Sequence, residues 1–288
     1  MKVGFIGLGY LGKAISQRLI ECSYQLGVYN RNLDKATDLD ATIYNSPDQL
    51  TKDCDVICLC LFDSQAVEEV LCSDKGILAA LKPEQIVLDM TTNHYKKVVE
   101  FEKMISAKQA IYLESPIFGS VVPARKGALT IVTSGQKSAY ESIIPLLEKI
   151  SAYRFYLPQI GQASRMKLLN NLALGSFMAV LAEITHFGET VGIDKQVLLD
   201  ILSVGGGNSG VLNAKKSKLL DDDFTPHFKS SLIYKDLHCL QDLAYETQEP
   251  LLMAAITKEM FAKTCQAGFA DYDFSAVYAM LKGEKDSD

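Results

Sequence analysis

Val3-Gly4-Phe5-Ile6-Gly7-Leu8-Gly9-Tyr10-Leu11-Gly12 decides the fold of this chain. The apolar residues before Gly7 read as a buried parallel strand. After Gly12, Ala14, Ile15, Leu19 and Ile20 recur at helical spacing. A G-x-G-x-x-G between a strand and a helix is the context in which that motif binds a dinucleotide. Gly7 permits the tight turn, Gly9 leaves room for a pyrophosphate against bare backbone, and Gly12 lets the helix pack closely on the strand. Leu8, Tyr10 and Leu11 complete the cofactor loop. The phosphates then sit on unpaired N–H groups at the positive end of the helix. A merely glycine-rich turn would carry neither flanking pattern.

Which dinucleotide binds is read at the end of the second strand, Leu26-Gly27-Val28-Tyr29, where Asn30 and Arg31 follow. A site for NAD usually has an acidic residue here to hold the ribose 2′-hydroxyl, whereas an arginine suits the 2′-phosphate of NADP. No carboxylate follows until Asp34. A guanidinium grips phosphate oxygens through two parallel hydrogen bonds, and Asn30 can donate another. NADP(H), with NADPH preferred over NADH, is the expected cofactor. A solvated loop arginine is the competing reading of Arg31. Leu61 and Phe62, at the carboxyl end of the strand expected at 56–61, are also assigned to the cofactor, as is Thr92 after Asp89, since open α/β sheets bind ligands at the carboxyl ends of their strands.

The chain of 288 residues is long enough for two domains with separate cores. Its 29 Lys+Arg against 35 Asp+Glu give a net charge of −6 and argue against nucleic acid or an anionic membrane surface. The chain opens on the pattern of a core strand, so no secretory leader is expected. Its apolar stretches look broken well short of a membrane span. Seven cysteines are an odd number. Cys58 and Cys60 alternate in one strand without the spacing or companions of a zinc site, so free thiols in a reducing, cytoplasmic compartment are expected and no metal is. The four histidines are scattered, which suggests neither a His cluster nor a Ser-His-Asp triad.

Residues 1–160 alternate short apolar runs with amphipathic stretches, the pattern of a doubly wound, Rossmann-type α/β sheet. Further strands are expected at 42–44, 56–61, 86–89, 111–113, 129–133 and 153–156, with helices near 65–71, 95–106 and 138–150. From 161 to 288 strand signals vanish. A long helix is expected over 163–190, largely buried because apolar on nearly every side, and further helices near 195–203, 230–247, 251–267 and 275–282. Pro250 fits a helical first turn, and the tail 283–288 reads as frayed. An N-terminal cofactor domain and a C-terminal all-helical domain joined by a long helix follow, with the active site expected at their seam.

Lys167 and Asn171 stand four apart in the long helix and project from one face toward a single small ligand, with Asn170 beside them. A snorkelling lysine with amides bonded across helices fits the same pattern. In the loop Glu114-Ser115-Pro116-Ile117-Phe118-Gly119-Ser120, the backbone N–H groups of Gly119 and Ser120 offer a nest for a substrate carboxylate; an ordinary strand-end turn is the alternative. Lys235-Asp236 reads as a solvated pair and Asp221-Asp222-Asp223 as a solvated helix end. Gly205-Gly206-Gly207-Asn208-Ser209-Gly210 reads as a flexible connector that lacks the Lys-Ser/Thr of a phosphate loop.

Taken together, these stretches resemble the β-hydroxyacid dehydrogenase family, which includes 3-hydroxyisobutyrate dehydrogenase, tartronate semialdehyde reductase and the glyoxylate/succinic semialdehyde reductases. The resemblance covers essentially the whole chain. It runs through the glycine signature (with Leu11 where Met is usual), Asn30-Arg31, the loop 114–120, the helix start Gly161-Gln162-Ala163-Ser164-Arg165-Met166-Lys167-Leu168-Leu169-Asn170-Asn171, Tyr234-Lys235-Asp236-Leu237 and Asp273-Phe274-Ser275-Ala276-Val277. It implies that Lys167 is the general acid in carbonyl reduction and assists alcohol deprotonation in reverse. Asn171 would position the substrate, and Lys235 would line the cofactor–substrate cleft. It also implies a small aldehyde, oxo acid or hydroxy acid as substrate and a homodimer or homotetramer. Phe118 departs from the pattern, standing where many members have a carboxylate-binding Ser. Recognition would then fall to Gly119, Ser120 and Asn171, and a more apolar substrate becomes possible. Imine reductases share the architecture but usually lack the lysine. An imine or atypical ketone reductase and a non-catalytic NADP-binding scaffold are the alternatives.

Overall fold

A computed structural model describes residues 1–284. The chain divides into two compact units, Met1–Lys167 and the part from Leu168 onward.

The first unit begins β1 (Lys2–Ile6), α1 (Tyr10–Glu21), β2 (Gln25–Tyr29), β3 (Thr42–Ile43), α2 (Pro47–Asp53), β4 (Val56–Leu59), α3 (Ser64–Cys72), β5 (Ile86–Asp89) and α4 (Tyr95–Ser106). It continues with β6 (Ile111–Glu114), β7 (Ile117–Phe118), α5 (Val121–Arg125), β8 (Leu129–Gly135), α6 (Lys137–Ile150), β9 (Ser151–Leu157) and the start of α7 (Gln162–Thr190). The first six strands are parallel in the order β3-β2-β1-β4-β5-β6, the dinucleotide-binding arrangement. β8 then runs antiparallel to β6 and β7, and β9 lies parallel to β8. Alternate residues feed two cores: Val3, Phe5, Cys58 and Leu88 belong to one, and Ile6, Ile57, Leu59 and Val87 to the other. Strands covered on both faces read as unbroken apolar runs, which is why they are visible in the sequence. The short α2, α5 and β7 are not, since one or two turns leave no period to read.

The second unit holds most of α7, then α8 (Lys195–Val204), α9 (Gly210–Leu220), α10 (Ser230–Thr247), α11 (Leu252–Gln266) and α12 (Val277–Leu281). Its core gathers Met178, Leu199, Leu212, Ile233, Phe261 and Tyr278. α9 escapes the sequence reading because two of its inward residues are lysines, Lys215 and Lys218, set among Val211, Leu212 and Leu219. Lys215 pairs with the fully buried Asp273 at 2.7 Å. Asp273 also accepts from the N–H groups of His227 and Phe228 and from the Ser275 hydroxyl. Buried charges persist when paired and fully hydrogen-bonded, so this block ties α9 to the segment before α12.

Three expectations need correction. Pro250 lies before its helix, which starts at Leu252 with Leu251 as cap. The α7 helix is not largely buried: Phe177, Val180, Ile184 and Phe187 are 41–64% exposed. By length and composition α7 could also cross a membrane, with 44% of its most apolar window buried; its inner face carries Met178, Leu181 and Ala182 into the helical core, as a central domain helix does. All seven cysteines are free thiols. At the tail, Gly283 and Glu284 bond back to Met280 and Ala279; the rest of the expected frayed stretch, 285–288, lies outside the described residues.

Candidate active site

The glycine turn is built by close approach. Gly7 has φ +103°, and a Cβ there would stand 2.3 Å from the Cys60 carbonyl oxygen. A Cβ on Gly12 would lie 2.0 Å from the Gly7 carbonyl. Neither position admits a side chain. Around Gly9, by contrast, nothing lies within 4 Å of where a Cβ would be, so bare backbone faces open space. α1 starts just after it with no side-chain cap and no acidic residue in its first turn. Its positive end is left for an anion. The cradle therefore fits a dinucleotide pyrophosphate.

Asn30 fastens this loop: its Oδ1 accepts from the Leu8 N–H at 2.9 Å, and its Nδ2 donates to the Asn32 carbonyl at 2.8 Å. The Asn30 amide is thus engaged with backbone, whereas the neighbouring Arg31 side chain is exposed. Tyr10 is exposed and Leu11 half-buried. The next loops are set from below by Asp89, which is fully buried. It accepts from the Thr91 N–H at 2.9 Å, Asn93 Nδ2 at 2.7 Å and the Tyr112 hydroxyl at 2.9 Å. Burial pushes its carboxyl above the usual carboxylate range, against those hydrogen bonds. Thr91 Oγ1 in turn accepts from the Leu61 N–H at 3.0 Å. This chain of bonds fixes the loop of Leu61 and Phe62, with the Phe62 ring 52% exposed, and the backbone beside the half-buried Thr92.

Glu114 closes β6 and is 1% exposed. Its carboxylate accepts from the N–H groups of Gly161, Ala163 and Ser164 and from the Ser164 hydroxyl. The Ala163 N–H also reaches Ser134 Oγ at 3.0 Å. A negative group on the unpaired N–H groups of a helix start is favourable by both hydrogen bonding and dipole. Burial pushes the Glu114 carboxyl up, and the four donors oppose it. One turn later stands Lys167, 9% exposed, whose Nζ donates to the Ile117 carbonyl at 2.7 Å. The same Nζ lies 4.9 Å from the centre of the Phe118 ring. A cation held by a carbonyl and an aromatic face is a built feature; it is not a snorkelling surface lysine. Phe118 and Ser120 are half-buried and Gly119 is exposed, so the first unit brings Lys167 to the loop 117–120.

In the second unit Asn171 is fully buried. Its Nδ2 donates to Asp236 Oδ2 at 2.6 Å and its Oδ1 accepts from Asn170 Nδ2 at 3.1 Å. Lys235 Nζ stands 2.9 Å from the other Asp236 oxygen. Asp236, at 2% exposure, is not the solvated residue expected from sequence. A carboxylate one step from a half-exposed lysine on a helix looks like a surface pair until the partner from α7 is known. Glu114 and Asp236 are the residues that sequence reasoning left without a role, because their partners lie 47–50 and 65 positions away. Among the described residues no group of three or more His, Cys, Asp or Glu side chains is placed to hold a metal.

Residues 2–161 match the family model described as the NAD binding domain of 6-phosphogluconate dehydrogenase. Residues 161–281 match the one described as NAD-binding of NADP-dependent 3-hydroxyisobutyrate dehydrogenase. Glyoxylate/succinic semialdehyde reductase 1 of Arabidopsis thaliana is 31% identical over 285 residues, covering 98% of this chain and 99% of that protein. Human cytokine-like nuclear factor N-PAC is 31% identical over 281 residues, covering 96% of this chain, which spans about half (51%) of N-PAC. A solved structure of Psf3 in complex with NADP+ and 2-OPP superposes with a TM-score of 0.91 at 30% identity, over 97% of this chain and 99% of that one.

Replacing Glu114 by Gln would turn an NH2 group toward N–H donors. The variant is expected to lose about 1–3 kcal/mol of stability in urea unfolding, and an unchanged unfolding midpoint would contradict the capping role.

Proposed function

Because the chain belongs to the β-hydroxyacid dehydrogenase family of NAD(P)-dependent oxidoreductases acting on CH–OH groups, we propose that it reduces a small aldehyde or oxo acid to the hydroxy acid with NADPH, and runs the reverse reaction with NADP+, using Lys167 as acid/base. The single observation that carries this reading is the buried Lys167 Nζ, held 2.7 Å from the Ile117 carbonyl beside the loop 117–120. NADPH, when bound, supplies the hydride. As the carbonyl oxygen gains negative charge, the Lys167 ammonium stabilises it and delivers a proton. Asn171 donates a hydrogen bond to the substrate, and Gly119 and Ser120 contact it from the loop. Gly7, Leu8, Gly9, Tyr10, Leu11 and Gly12 hold the pyrophosphate, Leu61, Phe62 and Thr92 flank the cofactor, and Lys235 contributes its charge. An imine reductase or a non-catalytic scaffold has less use for an ammonium anchored in this way.

The preference for NADPH rests on Arg31 at the end of β2, with no acidic residue there. Asn30 serves by fastening the loop through Leu8. A homo-oligomer is supported by the exposed residues Phe177, Val180, Ile184, Phe187 and Val191 of α7 and the turn after it. Their alternating steps of three and four form a seam of the kind one helix packs against another. The free cysteines fit a reducing compartment such as the cytoplasm.

Replacing Lys167 by Ala is expected to lower turnover by about 10²- to 10⁴-fold while NADPH still quenches or shifts its own fluorescence on binding; unchanged turnover would remove the lysine from the reaction. Arg31→Ala is expected to weaken NADPH binding about tenfold, the size of a charged hydrogen bond, with NADH little affected. Equal losses for both would refute the 2′-phosphate contact. In sedimentation equilibrium the unmodified protein is expected to be oligomeric and Phe187→Asp to shift it toward the monomer, whereas a monomeric unmodified protein would exclude the α7 seam.

A further inference from the structure

We infer that Asp236 is a positioning residue that makes Asn171 a hydrogen-bond donor toward the substrate, an inference that rests on the substrate-binding role proposed for Asn171. An amide has one acceptor end and one donor end, and an ionised carboxylate only accepts. With Asp236 Oδ2 at 2.6 Å, the Asn171 side chain must turn its NH2 group to the carboxylate. Asn170 Nδ2, at 3.1 Å from Asn171 Oδ1, completes the assignment from the opposite end. Both bonds select the same rotamer of the amide, and both groups at the carboxylate bond are buried, Asn171 at 0% and Asp236 at 2% exposure, so water does not compete for either. Asn171 keeps a second N–H on the same nitrogen. Its donor strength is reinforced by the negative charge behind it.

The ligand class follows from that orientation. A residue locked as a donor recognises an acceptor oxygen, such as the carbonyl or carboxylate oxygen of an oxo acid, and disfavours an ammonium, which has no acceptor, at that place. Asp236 also holds Lys235 Nζ at 2.9 Å from its second oxygen. One carboxylate therefore orders an amide from α7 and a cation from α10.

The test is a double-mutant cycle on carbonyl-dependent NADPH oxidation. Asp236→Asn is expected to lower kcat/KM by about 10- to 100-fold, the scale of one charge-assisted hydrogen bond. Placed on Asn171→Ala, the same change is expected to cost about twofold or less, because its target is gone. Equal losses in both backgrounds would show that Asp236 acts structurally and would overturn the inference. Should Asp236→Asn fail to fold, the exchanged pair Asn171→Asp with Asp236→Asn restores one donor and one acceptor but reverses them. Recovery of the fold without recovery of turnover supports the inference, and recovery of both overturns it. Absence of carbonyl-dependent oxidation in the unmodified protein would instead overturn the reductase reading, and this inference with it.

Discussion

The carboxylate of Glu114 at the start of α7 is the constraint on which the proposed chemistry depends. A buried carboxylate is costly unless its oxygens are occupied, and a helix start leaves N–H groups without intrahelical partners. Each solves the other's problem through the bonds from Gly161, Ala163 and Ser164. Because β6 is pinned between β5 and β8, the helix begins at a place set by the sheet. Lys167 comes one turn later and meets the Ile117 carbonyl of the next short strand along β8. The position of one ammonium is thereby inherited from sheet register through a single capped helix.

Buried acids recur in the same capacity. Asp89 organises the loops after β4 and β5 through Thr91, Asn93 and Tyr112. Asp236 orients Asn171, and Asp273 ties α9 to the C-terminal segment through Lys215. Glu114, Asp89 and Asp273 each accept from several donors, and Asp236 accepts from Asn171 and pairs with Lys235, so each carboxylate has partners where the dielectric is low and an unpaired charge would be costly. None of the four touches the reacting atoms in the proposed reaction. Glu114, Asp89 and Asp236 fix the helix start, the loops and the amide assigned to that reaction, and Asp273 holds the helical unit together.

Much of the fold was legible because its signals are local. The unbroken apolar runs of β1, β4 and β5 announce strands covered on both faces, and the glycine turn is stated by spacing alone. Lys167 was legible as a lysine in an apolar helix. Its partner, the Ile117 carbonyl, was not, since it lies 50 positions away. Its place after β2 suggests Asn30 as a phosphate donor; in the fold its amide is engaged with Leu8 and Asn32. α9 was hidden by its inward lysines, whose acidic partner Asp273 lies 58 positions from Lys215. The expectation of a buried α7 failed for a related reason, as apolarity on every side of a helix does not say whether the covering surface belongs to the same chain. Phe118 keeps the substrate open, for its ring lies against Lys167 where a hydroxyl would have marked a carboxylate.

The most direct measurement is NADPH oxidation by the purified protein, followed by loss of nicotinamide absorbance against a panel of glyoxylate, short semialdehydes, apolar aldehydes of matching length and cyclic imines. The account predicts carbonyl-dependent oxidation with the corresponding alcohol or hydroxy acid recovered as product. Oxidation with the imines alone, or none with any carbonyl, would contradict it.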